Sequence, residues 1–398
     1  MKVLIITPRI PYPPYRGDKL KIFNIAKTLS RNNSVTIVSF RENRNSRSEE
    51  RELMKYGPEV RTVSLPLLKS LFNMVLAVFT NIPFQAAYFR SRKMKTEIQK
   101  LIERNNYDVI YFHLIRSAQY FEAAKNSKAV KMLDFTDAVS LYLSRFSEVT
   151  RNPIKKYTLL IELKRIINYE PIAKKFDTLF ICSEKDKDYL EEKKLHPNIQ
   201  FLRNGFNADL FAPEKIHFEK NRIIFTGNMP YFPNRDAALY FTKEIFPLVR
   251  ESYPNSKLYL VGQKPPLEVR KLNSQNVIVT GFVEDIKKEY LLSAVNVVPI
   301  RFGAGTLNKV IEALALGIPI VATSMSVAGL PKELKKYIMT ADNPATFAEK
   351  IIYIFEHESE RRELMLEGSE VVRNLLSWNK IIGEFESYLL GRLKEKKN

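Results

Sequence analysis

Lys309 and Glu312 stand three residues apart, just behind a loop that holds Gly303 and Gly305 with Ala304 between them. An amine and a carboxylate at that spacing share nearly one helix face. The glycines let the backbone turn tightly or let a ligand approach closely. Lysine for phosphate beside a carboxylate for sugar hydroxyls suits a nucleotide-sugar. The surrounding stretch, VNVVPIRFGAGTLNKVIEALALGIPIVAT over residues 295–323, reads as strand, loop, helix, turn, strand. Thr306 takes the N-cap position before the apolar-periodic Val310, Ile311 and Leu314. Gly317 ends the helix, and Pro319 opens a fully apolar second strand. A helix N-terminus opened by glycines is an anion site, through its free N–H groups and macrodipole. The same residues also fit an ordinary crossover with a surface Lys–Glu pair, because a lone glycine loop is a weak signal.

Other candidates fall at predicted strand ends. Gly17 follows the proline-rich loop PRIPYPPYRGDK and precedes a predicted helix over 19–30, flanked by Arg16 and Asp18. YDVIYF ends at His113, and a strand over 130–133 ends at Asp134. Three strands of the second half end in Gly227-Asn228, Gly262 and Gly281. In open α/β sheets ligands bind beyond the carboxyl ends of strands. His113 also fits a satisfied structural histidine. The other histidines are scattered and the single cysteine is Cys182, so the sequence predicts no disulfide and no metal cofactor.

The elements that must position these groups alternate between short apolar strands and amphipathic helices, which predicts parallel sheets with crossover helices. A chain of 398 residues exceeds one ordinary core, so two domains are expected. The boundaries read as 1–208, 209–377 and a last amphipathic helix with a basic tail over 378–398.

The net charge of +19 is uneven: residues 1–210 hold 37 Lys and Arg against 22 Asp and Glu. A basic half calls for an anionic partner. The apolar stretch Leu67–Phe79 stands near the cluster Arg90–Lys95, RSRKMK. It fits either a helix lying in a membrane interface or a core-facing helix under the sheet. No apolar run reaches the ~20 residues that span a bilayer. Met1–Thr7 turns apolar at once and is followed by four prolines within seven residues, which does not fit a signal peptide. No nucleic-acid module is recognisable, so nucleic acid is not expected as a partner.

Taken together, KVLIITPRIPYPPYRGDK, the NGFN turn, FTGN, LYLVG, GFVEDIKKEY and GAGTLNKVIEALALGIPIVAT resemble the retaining GT-B glycosyltransferases of family four. The resemblance runs over nearly the whole chain. It is nearest in flavour to transferases of exopolysaccharide and surface-glycan assembly.

The resemblance implies two Rossmann-like domains facing across a cleft, with the C-terminal helix returning to the first. It implies a nucleoside-diphosphate sugar donor, an acceptor that is lipid-linked or a growing polysaccharide, and no metal. A cytoplasmic place, peripheral on the inner membrane face, goes with that acceptor. Glu312 matches the second carboxylate of an E-x7-E motif and is implied to hold the ribose. Lys309, Thr306 and Gly303–Gly305 are implied near the diphosphate or sugar, Phe282–Val283 near the base, and Gly227, Asn228 and Gly262 along the donor. Arg16, Gly17, Asp18, His113 and Asp134 are implied on the acceptor side. Lys309, Glu312 and His113 are the candidates for catalysis. Two positions depart from the pattern. Ala304 stands where the first glutamate is usual, and the expected Arg and Lys after the first strand of the second domain are absent, leaving Arg235 and Lys309 as the nearest cations. The first departure admits an alternative, a non-catalytic nucleotide-sugar-binding partner subunit.

Overall fold

The computed structural model describes residues 1–398 except 42–45, 151, 213–217, 303–306 and 398. The chain divides into two compact units, Met1–Arg203 with Ile381–Asn398, and Asn204–Lys380.

The first unit is built on a seven-stranded sheet: β1 Lys2–Thr7, β2 Ser34–Arg41, β3 Glu59–Ser64, β4 Val109–His113, β5 Val130–Thr136, β6 Thr178–Ile181 and β7 Ile199–Phe201. Their order is β3-β2-β1-β4-β5-β6-β7, with every pairing parallel. The central strands read as nearly unbroken apolar runs because both faces are covered. The helix expected over 19–30 spans Gly17–Leu29 and buries Ile22, Phe23, Ile25, Ala26 and Leu29. The long helical stretch expected over 142–175 is instead Val139–Val149 and Pro153–Tyr169, followed by a short 3-10 turn. Pro153 is the reason: it lacks an N–H for a preceding turn and suits a helix start, where the Asn152 side chain caps Lys155 N.

The last helix, Trp378–Lys397, brings its C-terminal part back to this sheet. Phe385 packs edge-on against Tyr111 and Phe180, and the Tyr388 hydroxyl lies 2.9 Å from Thr178 Oγ1.

The second unit repeats the plan with six strands: β8 Glu219–Thr226, β9 Lys257–Val261, β10 Val277–Gly281, β11 Ser293–Val298, β12 Ile320–Ala322 and β13 Met339–Thr340. Their order is β10-β9-β8-β11-β12-β13, again all parallel. In both units the strand order reverses beside the first strand, between β1 and β4 and between β8 and β11. That reversal opens a crevice at the carboxyl edge where doubly wound sheets take their ligands.

One expectation is settled against the sequence alternative. The helix Leu67–Ala77 does not face the core. Ser70 and Ala77 are its buried residues, while Leu68 is 82 % and Phe79 83 % exposed.

Candidate active site

The carboxyl edge of the second sheet gathers the groups that could hold a donor. Gly227 follows β8, Gly262 follows β9 and Gly281 ends β10, and these backbones are joined in series. Gly227 N donates to Val261 O at 2.9 Å, and Gly262 N to Gly281 O at 3.0 Å. A Cβ on Gly262 would sit 1.8 Å from the Gly227 carbonyl oxygen, and one on Gly227 would meet Asn234 and the Lys309 ammonium within 3.0 Å. Glycine is therefore required at both places by close approach. Phe282 and Val283 follow β10, and the Phe282 ring is exposed there.

The helix carrying Lys309 and Glu312 spans Asn308–Ala315, with Leu307 rather than Thr306 at its cap position and no side-chain cap. Gly303, Ala304, Gly305 and Thr306 lie outside the described residues. The surface Lys–Glu alternative does not hold. Lys309 is 8 % exposed, and its Nζ donates to Asn234 Oδ1 at 2.7 Å and lies 4.2 Å from the Phe225 ring centroid. No carboxylate is within ion-pair distance of it among the described residues. Burial draws its pKa down to about 7, against the pull of Glu312. Burial likewise pushes Glu312 up to about 7, although a hydrogen bond from Tyr290 and the charge of Lys309 oppose the rise. The Tyr290 hydroxyl donates to Glu312 Oε2 at 3.3 Å and lies 2.6 Å from Thr226 Oγ1. A buried cation without a counter-ion beside a half-buried carboxylate is a poor use of a core and a good receptor for phosphate and hydroxyl groups.

Sequence reading missed the residues that hold this pair. Asn234 also donates to Asn228 O at 3.0 Å, tying Lys309 to the Gly227-Asn228 turn. Asn296, fully buried within β11, donates to Lys309 O at 3.3 Å. Its place inside an apolar strand was a readable signal; Tyr290 offered none. Arg235, the other nearest cation by sequence, is committed to Glu268 at 2.8 Å. Arg301 is likewise held by Asp236 at 2.7 and 3.0 Å.

The acceptor-side candidates lie in the first unit. His113 ends β4 beside the end of β1, with Nδ1 3.0 Å from Thr7 Oγ1. It is 2 % exposed, and its Nε2 has no hydrogen-bond partner among the described residues. Burial lowers its pKa to about 4 despite Asp134 and Asp18, so the ring is neutral at pH 7. Arg16 takes the N-cap position of the helix that starts at Gly17 without a side-chain cap, and a Cβ on Gly17 would meet open space. Asp18 pairs with Arg16 at 3.3 Å and Arg9 at 3.7 Å. Burial favours its neutral form, yet Arg16, His113, Arg9 and Arg116 together hold its pKa low.

Asp134 is placed otherwise than the resemblance implied. It is fully buried, 2.8 Å from Lys21 Nζ, accepting from the Tyr111 hydroxyl at 2.5 Å and Thr136 N at 2.7 Å. Those partners occupy the carboxylate, so it orders the strand end rather than facing a ligand. Asp137, Cys182 and Asp186 bring ligand atoms within 4.8 Å of one another nearby. Burial raises the Cys182 thiol pKa, as do Asp137 and Asp186, and disfavours the thiolate a metal would need.

A family model described as "Glycosyl transferases group 1" matches residues 220–357, the segment that carries β8 to β13. An uncharacterised 44.6 kDa protein in the cps region of Klebsiella pneumoniae is 22 % identical, covering 91 % of this chain and 93 % of that protein. Among solved structures, Anabaena HepE in complex with UDP and glucose is similar with a TM-score of 0.69 at 14 % identity, covering 98 % of this chain and 99 % of that one. Sucrose-phosphate synthase from Thermosynechococcus elongatus is similar with a TM-score of 0.68 at 16 % identity, covering 98 % and 100 %. The two parallel sheets and these likenesses agree: the chain has the GT-B fold, and its second unit carries a segment similar to the group 1 glycosyltransferases.

Proposed function

We propose that the protein transfers a sugar from a nucleoside-diphosphate sugar to a lipid-linked acceptor or growing surface polysaccharide, with retention of anomeric configuration. The observation that carries this is the buried Lys309 with the half-buried Glu312 beside the Gly227–Gly262 backbone. Glu312 accepts hydrogen bonds from the ribose hydroxyls, with Tyr290 holding its carboxylate. Lys309, protonated when an anion arrives, stabilises the charge that develops on the departing diphosphate. The N-terminal N–H groups of the Asn308–Ala315 helix add to that field. This arrangement supplies charge stabilisation from the chain itself, and we propose a metal-independent transfer. Phe282, exposed at the end of β10, offers an aromatic face to the base. HepE, a structural relative, is described in complex with UDP and glucose, which makes UDP-sugars the first donors to test.

The acceptor hydroxyl approaches the same face of the sugar from which the diphosphate departs, and no side chain forms a covalent intermediate. On the acceptor side His113 is neutral and offers Nε2, while Arg9, Arg16 and Arg116 suit an acceptor that carries phosphate. The likeness to a protein of a cps region supports a place in surface-glycan assembly; a cytoplasmic site of action is part of this reading.

Ala304 favours one other reading, a subunit that binds nucleotide-sugar without transferring it. Calorimetric titration with UDP, GDP and ADP tests the donor site common to both. Glu312→Ala is expected to weaken the preferred nucleotide by roughly 10- to 150-fold, the equivalent of losing a charged hydrogen bond of ~1.5–3 kcal/mol. Unchanged affinity for all three would remove Glu312 from the site.

A further inference from the structure

The helix Leu67–Ala77 is inside out. Small and polar residues, Ser70 and Ala77, face the protein, while Leu67, Leu68, Leu71, Phe72, Val75 and Leu76 face solvent, each at least 47 % exposed. Val78 and Phe79 extend the same surface. A second helix continues it. Arg165 of Pro153–Tyr169 donates to Ala77 O at 2.6 Å and Val78 O at 3.3 Å, and Glu162 accepts from Phe84 N at 2.8 Å. That helix exposes Ile154, Tyr157, Leu160 and Ile167, a stripe at helical spacing. Exposed apolar residues clustered along a helix in this way mark an interaction site.

Charge identifies the occupant. From Val60 to Thr96 the sequence holds no aspartate or glutamate, and it holds Arg61, Lys69, Arg90, Arg92, Lys93 and Lys95, all exposed. Asn73 donates to Arg90 O at 2.9 Å, which fixes the basic segment beside the apolar helix. Apolar residues with a mainly cationic fringe complement anionic headgroups above hydrocarbon, although Glu59 pairs with Arg61 and Glu162 stands beside Phe84. No described helix is long and apolar enough to cross a membrane, and eleven residues span only ~16 Å. An apolar element of this length suits the interface plane rather than a crossing.

We propose that the Leu67–Phe79 surface, with the exposed stripe of Pro153–Tyr169, inserts into the headgroup–acyl boundary of an anionic bilayer, and that the flanking lysines and arginines orient it. Attachment is then by apolar insertion and charge together. This stands independently of the donor-site reading, because vesicle binding and nucleotide binding are separate measurements.

The test is flotation of the full chain with phosphatidylglycerol/phosphatidylcholine vesicles, against phosphatidylcholine alone, at low and high salt. Phe79→Trp supplies a reporter, since the one native tryptophan, Trp378, is buried in the second unit. Wild type is expected to float with the anionic vesicles and to retain part of that binding at high salt, and Phe79→Trp fluorescence to shift to the blue. The triple variant Leu68→Ser/Phe72→Ser/Phe79→Ser is expected to bind at least tenfold more weakly, with wild-type nucleotide affinity and melting temperature. Failure of wild type to float at low salt would overturn the proposal. So would equal binding of the triple variant, or a wild-type dimer that becomes monomeric in that variant without any vesicle binding, which would make the surface a contact between copies.

Discussion

The Lys309 ammonium rests 2.7 Å from the Asn234 amide oxygen, across 75 residues of chain, and no carboxylate among the described residues neutralises it. The amide orients the charge without cancelling it, so the cation stays available to an incoming diphosphate. Asn234→Ala is expected to leave a buried ammonium with less support and lower its pKa further. Affinity for a nucleotide-sugar should fall about tenfold at pH 7, on the order of one charged hydrogen bond, and recover partly at pH 6. Calorimetry at the two pH values checks this. An equal loss at both would mean that Asn234 only shapes the backbone.

The paired shifts predict a pH optimum for donor binding. Lys309 is held down at about 7 and an arriving phosphate raises it, so binding above that pH takes up a proton and weakens as pH rises. Glu312 is pushed up to about 7 and hydroxyl donors favour its carboxylate, so binding below that pH releases a proton and weakens as pH falls. Affinity for a nucleotide-sugar should peak near pH 7. Lys309→Met should flatten the alkaline limb and Glu312→Gln the acid limb. Titrations across that range in buffers of different ionisation enthalpy measure both limbs and the protons exchanged.

The same burial predicts a cost in stability. The folded pKa of Lys309, about 7, lies below the unfolded value near 10.5, so the penalty is full below pH 7 and disappears as pH rises past the unfolded value. At pH 7 it amounts to about 3–5 kcal/mol. Lys309→Met removes it but leaves Asn234 Oδ1 without its donor, about 1–3 kcal/mol. Without nucleotide, the variant should melt higher than wild type by a few degrees. A lower melting temperature would show the ammonium to be better satisfied than its surroundings indicate.

Gly262→Ala tests the close approach at the strand ends. A methyl group 1.8 Å from the Gly227 carbonyl oxygen must displace one of the two backbones. The expected cost is on the order of 3 kcal/mol, confined to the second unit. Denaturant unfolding followed by the fluorescence of Trp378, which belongs to that unit, should report an earlier transition. An unchanged midpoint would contradict the tight packing of the two glycines.

Strands and their glycine ends were legible because each is a local pattern: an apolar run, then a residue that permits close approach or a turn. Lys309 and Glu312 were legible for the same reason, since three residues on one helix fix their spacing. Asn234 and Tyr290 were not, because they reach the pair from distant elements and nothing in their neighbours announces it. Leu67–Phe79 shows a different limit. Apolar content alone does not say which face of a helix meets the protein, and here Ser70 and Ala77, the small residues, do. Arg235 was one of the two nearest cations by sequence, and Glu268 claims it.

The most direct test of the central claim is turnover of a panel of UDP-, GDP- and ADP-sugars, followed by NMR with an acceptor lipid fraction, in wild type and Lys309→Met. One donor should be consumed with release of its nucleoside diphosphate, and the product should keep the donor's anomeric configuration. Lys309→Met should lower kcat at least a hundredfold, the equivalent of ~2.7 kcal/mol of lost transition-state stabilisation. Consumption of no donor, or a Lys309→Met protein as active as wild type, would contradict the account.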